Sequence, residues 1–250
     1  MNEDRALNWD YTKLARHYDK RPDYSSVALD RLFHQIGLDA TWSVVDMGAG
    51  TGKLTRQLCK RDCDIIALEP NAAMRQIGMD NVQGNRCHWL EATAEATGLP
   101  DAAFDLVIFG SSFNVVNTDQ ALQESARLLR PGSWFACLWN HRDLTDPLQQ
   151  NVEEIIHSFV PDYDYGSRRQ NQKAVIDGCG LFGEVRQIAA RFLRKVDVLV
   201  YVDAWRSHAT LARQAGDQFP DIIQAIEQQL AGMTSIEVPY HTRIWYAPRH

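Results

Sequence analysis

At 250 residues, 45% of them hydrophobic, the chain is long enough to bury one sizeable core and fits a single α/β domain with additions better than two full domains. Its formal net charge of −6, without a long basic run, argues against nucleic acid as a partner. No apolar stretch approaches the length of a membrane span, the first five residues are polar, and five scattered cysteines contain no Cys-x-x-Cys pair, so a reduced cytoplasmic protein is expected.

Apolar residues recur at helical spacing over 11–18 and 26–36, with Arg21-Pro22 as a break between them. A strand over 43–46, a helix over 54–59, a strand over 64–68 and a helix over 72–77 follow. Residues 87–91 read as a weaker strand and 105–109 as a stronger one, entered through Gly98-Leu99-Pro100-Asp101. An amphipathic helix over 118–129 stops at Arg130-Pro131-Gly132, and 134–139 reads as the next strand. This alternation predicts an α/β fold, a Rossmann-like doubly wound sheet with helices on both faces and ligands at the carboxyl ends of its strands. Helices are expected over 148–160 and 221–230, and a helix and turn over 175–183. An antiparallel pair over 185–192 and 242–245 closes the sheet, which is mostly parallel with an antiparallel last strand. Between that pair, about 196–236 forms a helical cap insertion, the expected source of specificity. Its aromatics and those before it (Phe159, Tyr163, Tyr165, Tyr201, Trp205, Phe219) are expected mostly in the core. The chain thus divides into 1–40, a core over 41–145, and 146–250.

Residues 44–52 read Val-Val-Asp-Met-Gly-Ala-Gly-Thr-Gly, a strand running into a tight loop that opens a helix, where small residues let main-chain N–H groups approach a ligand. Lys53 stands where a dinucleotide fingerprint places its third glycine, so a smaller adenosine-containing ligand fits better than a diphosphate. Glu69 lies about twenty residues past the loop, the distance at which an acid ending the neighbouring strand accepts from both ribose hydroxyls. Ala92-Thr93-Ala94-Glu95 can frame an adenine edge, and the stretch from Phe109 to Asn114 can pass beneath the reacting part of a ligand. Cys59 and Cys63 are four apart, but no second ligand pair accompanies them and no metal is expected.

These motifs, with Ala67-Leu68-Glu69-Pro70-Asn71 and Ala126-Arg127-Leu128-Leu129-Arg130-Pro131-Gly132-Ser133, resemble the class I S-adenosylmethionine-dependent methyltransferases. Leu138-Trp139-Asn140-His141-Arg142-Asp143 is most similar to their small-molecule branch, which includes enzymes like trans-aconitate methyltransferase. The resemblance implies S-adenosylmethionine as cofactor and S-adenosylhomocysteine as product. It assigns Asp46, Gly48 and Gly50 to the amino-acid part of the cofactor, Glu69 to the ribose, and Asn71 and Met74 to the adenine flanks. Thr93 and Ala94 then read the adenine edge, Gly110 lies below the sulfonium, and the N-terminal helices with Tyr18 and Arg21 close over the carboxylate. Many relatives carry Gln-Ala-Phe-His-Trp after the fourth strand; here Ser111-Ser112-Phe113-Asn114-Val115 replaces it, and no catalytic histidine is carried over.

The resemblance implies methyl transfer to an oxygen or nitrogen atom of a small metabolite by in-line displacement, with the protein holding the acceptor and excluding water. Substrate candidates near the carboxyl edge are Asn114, His141 and Arg142, with Tyr240, His241 and Arg243 from the tail. Two arginines suit an anionic substrate. The same Asn-His-Arg-Asp run also reads as a capping and salt-bridge cluster, and His17 as a surface residue. The other readings are an NAD-dependent oxidoreductase, disfavoured by Lys53, and a non-catalytic S-adenosylmethionine-binding protein. The expected partner is the small-molecule substrate alone, without nucleic acid or membrane, for a monomer or homodimer.

Overall fold

The structure, a computed structural model, describes residue 12 and residues 14–250. Helices α1 (Ala15–Tyr18) and α2 (Ser26–Ile36) come first; the helix expected from residue 11 starts outside the described residues. Strands β1 (Ser43–Met47), β2 (Asp64–Leu68), β3 (Cys87–Leu90), β4 (Phe104–Gly110) and β5 (Leu129–Arg142) follow. They enclose α3 (Thr55–Cys59), α4 (Ala72–Asn81) and α5 (Thr118–Leu128). Helix α6 (Pro147–Phe159), a 3-10 turn (Gly166–Arg169) and α7 (Lys173–Gly178) lead to β6 (Arg186–Asp197). Helices α8 (Val198–Arg206), α9 (Ala209–Ala215) and α10 (Phe219–Gln229) precede β7 (Ser235–Pro248).

The strands form one sheet in the order β3-β2-β1-β4-β5-β7-β6. The first five are parallel, and β7 runs antiparallel to both β5 and β6. Strand order reverses between β1 and β4, so their carboxyl ends flank the crevice where a sheet of this kind binds ligands.

Period-two alternation builds a core on each face. Val45, Met47, Val107, Phe109, Phe135 and Cys137 point to the side of α5, while Val44, Leu106, Ile108, Ala136 and Leu138 point to the side of α2 and α3. Fully burying one such large apolar side chain contributes roughly 1.5–3 kcal/mol. A third core belongs to the cap: Val152 and Ile156 of α6 pack with Tyr201, Val202 and Trp205 of α8, Leu211 of α9, and Ile222 and Ile226 of α10. It continues onto Ile236, Val238 and Tyr240 of β7, so the roof is packed onto the sheet ends.

Two strand boundaries differ from the sequence expectation. The stop at 130–132 lies inside β5, where the register shifts between the Phe104 and Leu106 pairings, because Pro131 has no N–H to give a ladder. The last antiparallel pair is longer than 185–192 and 242–245, running from Arg186 to Asp197 and from Ser235 to Pro248. Pro239, which reads as a breaker, is tolerated because β5 pairs only as far as Tyr240, leaving Pro239 with a single strand neighbour, at Leu193.

Candidate active site

The loop after β1 is fixed from below and from the side. Ala49 N–H donates to the Leu68 carbonyl at 2.8 Å, and Gly50 N–H donates to the Glu69 carboxylate at 2.9 Å. The second carboxylate oxygen of Glu69 accepts Asn71 N–H at 2.9 Å, and Asn71 in turn caps α4 by accepting Met74 N–H. Gly48 and Gly50 hold φ of 68° and 59°, conformations that side chains with a Cβ adopt at a cost. A Cβ at Gly50 would meet Met74 Cε at 3.2 Å, and one at Gly48 would stand 2.6 Å from Ser112 Cβ.

Asp46, at the end of β1, is fully buried; one carboxylate oxygen accepts the Thr55 hydroxyl at 2.7 Å and the other has no partner among the described residues. Burial pushes its carboxyl up to about 7 against the Thr55 hydrogen bond, with the Glu69 charge adding to the rise. Burial also raises Glu69, opposed by its two backbone donors. Thr51 Oγ1 is a second buried oxygen without a partner. Both orphaned groups belong to residues lining a cleft of about 1030 Å³, counting its open mouth. A ligand carrying an amino group and hydroxyls would satisfy them.

The cleft lining is also cationic. Arg21, Arg142, Arg168 and Arg169 line it together with Lys53. Lys53 has acidic partners, Asp23 at 3.2 Å and Asp19 at 3.9 Å, whereas none of the four arginines forms an ion pair among the described residues. Arg21 instead donates to the Ser207 hydroxyl at 2.8 Å and to its carbonyl at 2.6 Å, joining the N-terminal segment to the cap. Burial, then the neighbouring Arg21, brings Arg168 down to about 10, which leaves it charged at neutral pH.

The structure brings Tyr18, Arg21, Asp46, Gly48, Gly50, Gly110, Asn114, Arg142 and Tyr240 to this one cleft. Asn114 Oδ1 accepts the Trp139 indole N–H at 2.9 Å, and Tyr240 stacks on Phe192. Glu69, Asn71 and Met74 adjoin through Gly50, while Thr93 and Ala94 follow β3 without lining the cleft. His141 is buried outside the lining, with neither ring nitrogen hydrogen-bonded among the described residues. Burial, then the charges of Arg168, Arg169 and Arg243, pushes it down to about 2, so its ring is neutral and a very weak base. Arg243 is exposed on β7 and away from the cleft lining, because the alternation that turns Thr242 inward turns Arg243 outward. His241 lies 3.2 Å from Asp143, and His17 is half-buried, 3.5 Å from Asp203.

Sequence reasoning missed Arg168, Arg169 and His208 as cleft residues. The arginine pair sits in Asp-Tyr-Gly-Ser-Arg-Arg, which reads as a solvated polar turn; the only signal was its position just after Tyr163 and Tyr165. Burial, with Arg168 beside it, lowers His208 well below the usual imidazole range. Among the described residues no helix is long and apolar enough to cross a membrane.

Comparison with known proteins gives a consistent outcome. Residues 45–137 match a family described as a methyltransferase domain. An uncharacterised methyltransferase of Mycobacterium bovis is 36% identical over 136 residues, 54% of this chain and 54% of that protein. The ubiquinone/menaquinone biosynthesis C-methyltransferase of Hahella chejuensis is 33% identical over 162 residues, 60% of this chain and 64% of that one. The match therefore spans between half and two thirds of these relatives' lengths. Among solved structures, the Haemonchus contortus phosphoethanolamine N-methyltransferase 2, in complex with phosphomonomethylethanolamine and S-adenosylhomocysteine, superposes with a TM-score of 0.57 at 13% identity. That superposition covers 97% of this chain and 58% of the other. The YcgJ protein of Bacillus subtilis gives a TM-score of 0.57 at 14% identity, covering 90% and 99%.

Proposed function

From the match of residues 45–137 to a methyltransferase domain family, we propose that the protein is an S-adenosylmethionine-dependent enzyme that methylates an oxygen or nitrogen atom of a small, anionic metabolite by in-line displacement. The observation that carries the cofactor reading is the unit made by Gly50, Glu69 and Asp46, two acids and a glycine loop joined at the switch point of the sheet. When bound, the cofactor supplies a methyl group already activated on a sulfonium.

The chain's own residues then have three tasks. Glu69, fixed by Gly50 and Asn71, presents its carboxylate to ribose hydroxyls, and the unpartnered oxygens of Asp46 and Thr51 receive the amino-acid end. Asn114 and the arginine-lined wall orient the acceptor. The cap, packed onto the ends of β6 and β7, excludes water. Burial pushes His208, the histidine of the cleft, well below the usual imidazole range, which suits an acceptor that needs no proton removed.

Thermal melts with S-adenosylmethionine, S-adenosylhomocysteine, NAD and no ligand test this reading. A ligand at ~100 times its dissociation constant adds roughly 2.7 kcal/mol to the folded state. Stabilisation by the two adenosyl-sulfur ligands alone supports it; stabilisation by NAD alone, or by none, contradicts it.

A further inference from the structure

We propose that Arg142, Arg168 and Arg169 form a subsite for a multiply charged oxyanion, the head of the methyl acceptor, which makes the acceptor a polycarboxylate or a phosphoester. This rests on the methyltransferase reading above and deepens it by naming the acceptor's class.

None of the three guanidiniums has a carboxylate partner among the described residues; aromatic faces lie against them, and Arg168 also lies 3.3 Å from His208 Nε2. The Arg142 guanidinium carbon lies 3.8 Å from the centroid of the Trp205 ring and 5.5 Å from that of Tyr201. Arg169 lies 4.1 Å over Tyr165, and Arg168 lies 5.7 Å from the same ring. Arg169 also donates to the Arg142 carbonyl at 3.2 Å, clipping the 3-10 turn to the end of β5. An aromatic face orients a guanidinium plane without cancelling its charge, whereas a carboxylate would do both. The contrast inside the same molecule is Arg127 on α5, which faces Asp101 and Glu124. The acid nearest in effect to Arg169, Glu153, is engaged by the Tyr165 hydroxyl.

The Nε atoms of all three arginines are buried and have no hydrogen-bond partner among the described residues. Guanidiniums gathered in one cleft repel one another, and unsatisfied buried donors are costly, so the arrangement is completed by an anion. The cofactor's single carboxylate is the group that the resemblance assigns to Tyr18 and Arg21, which leaves Arg142, Arg168 and Arg169 for the acceptor. A monoanionic acceptor would leave the wall still unbalanced, while two or more anionic oxygens pairs match the fork geometry of adjacent guanidiniums.

The test is calorimetric titration of the full chain, saturated with S-adenosylhomocysteine, with tricarballylate, pyrophosphate and acetate at matched ionic strength. Both polyanions, or one of them, bind and acetate does not; preference for tricarballylate assigns the head to carboxylates and preference for pyrophosphate to a phosphoester. Arg168→Gln and Arg169→Gln each weaken the polyanion roughly tenfold or more while S-adenosylhomocysteine still binds, which shows that the variants are folded. Arg31→Gln, on the exposed side of α2, changes neither. Absence of polyanion binding while S-adenosylhomocysteine binds overturns the subsite and leaves the methyltransferase reading standing. Polyanion binding undiminished in both variants overturns the assignment to these arginines. If S-adenosylhomocysteine itself fails to bind the unaltered chain, the underlying reading falls first, and the acceptor assignment with it.

Discussion

The backbone N–H of Gly50 donates to the carboxylate of Glu69 across 2.9 Å, so the acid that follows β2 is a strut for the loop that follows β1. Nineteen positions separate the two in sequence, yet they act as one unit at the point where strand order reverses. A ligand that reaches the loop therefore reaches the acid, and changes at either residue are expected to appear in the binding of the same ligand.

Gly48→Ala is expected to destabilise the fold and to weaken cofactor binding. The residue holds φ of 68°, and an added Cβ would stand 2.6 Å from Ser112 Cβ, so both the backbone and its neighbour must shift. The cost is on the order of 1–3 kcal/mol, read as a lower urea midpoint. An unchanged midpoint would contradict the left-handed geometry of the loop.

Asp46 predicts a pH dependence of known sign. Its carboxyl is raised to about 7 from 3.8, so the folded state holds this proton more tightly than the unfolded chain. The group is harmless below its unfolded value, and its burden grows as pH rises between the two, reaching on the order of 4 kcal/mol above the folded value. Relative to Asp46→Asn, the protein should therefore lose stability from about pH 4 to 7 and run parallel above that, in urea melts across the range. Stability that rises instead over this window would contradict the buried, half-satisfied carboxyl.

Arg21 ties the N-terminal segment to the cap through two hydrogen bonds to Ser207. Arg21→Ala is expected to cost about 1–3 kcal/mol and to speed amide exchange around residues 15–22 and 203–208 while leaving the sheet protected. Exchange that is unchanged in both segments would show that the two hydrogen bonds do not join them.

Much of this fold was legible because its central strands are short apolar runs punctuated by Gly, Pro and Asn. The strands that carry Asp46 and lead into Glu69, and the helix cap at Asn71, follow from such local grammar. The edge was less legible: β6 exposes Leu193 at 60%, and β7 carries Pro239, so neither shows its full length in a pattern of buried residues. Of the cationic lining, Arg21 and Arg142 were legible in the sequence. Arg168 and Arg169 reach the cleft through the packing of a short polar turn against Tyr165, a long-range event without periodicity to announce it. Arg243, a substrate candidate from the tail, is exposed on β7 and outside the cleft lining, a placement that depends on strand alternation rather than on its chemistry.

The most direct measurement of the central claim is a calorimetric titration of S-adenosylhomocysteine into the unaltered chain and into Glu69→Ala. The account predicts one site per chain, with affinity reduced roughly tenfold or more in the variant, since a charge-assisted pair of ribose hydrogen bonds is lost. Equal affinity in the two proteins would remove Glu69 from the site and contradict the assignment of the glycine loop and its acid to the cofactor.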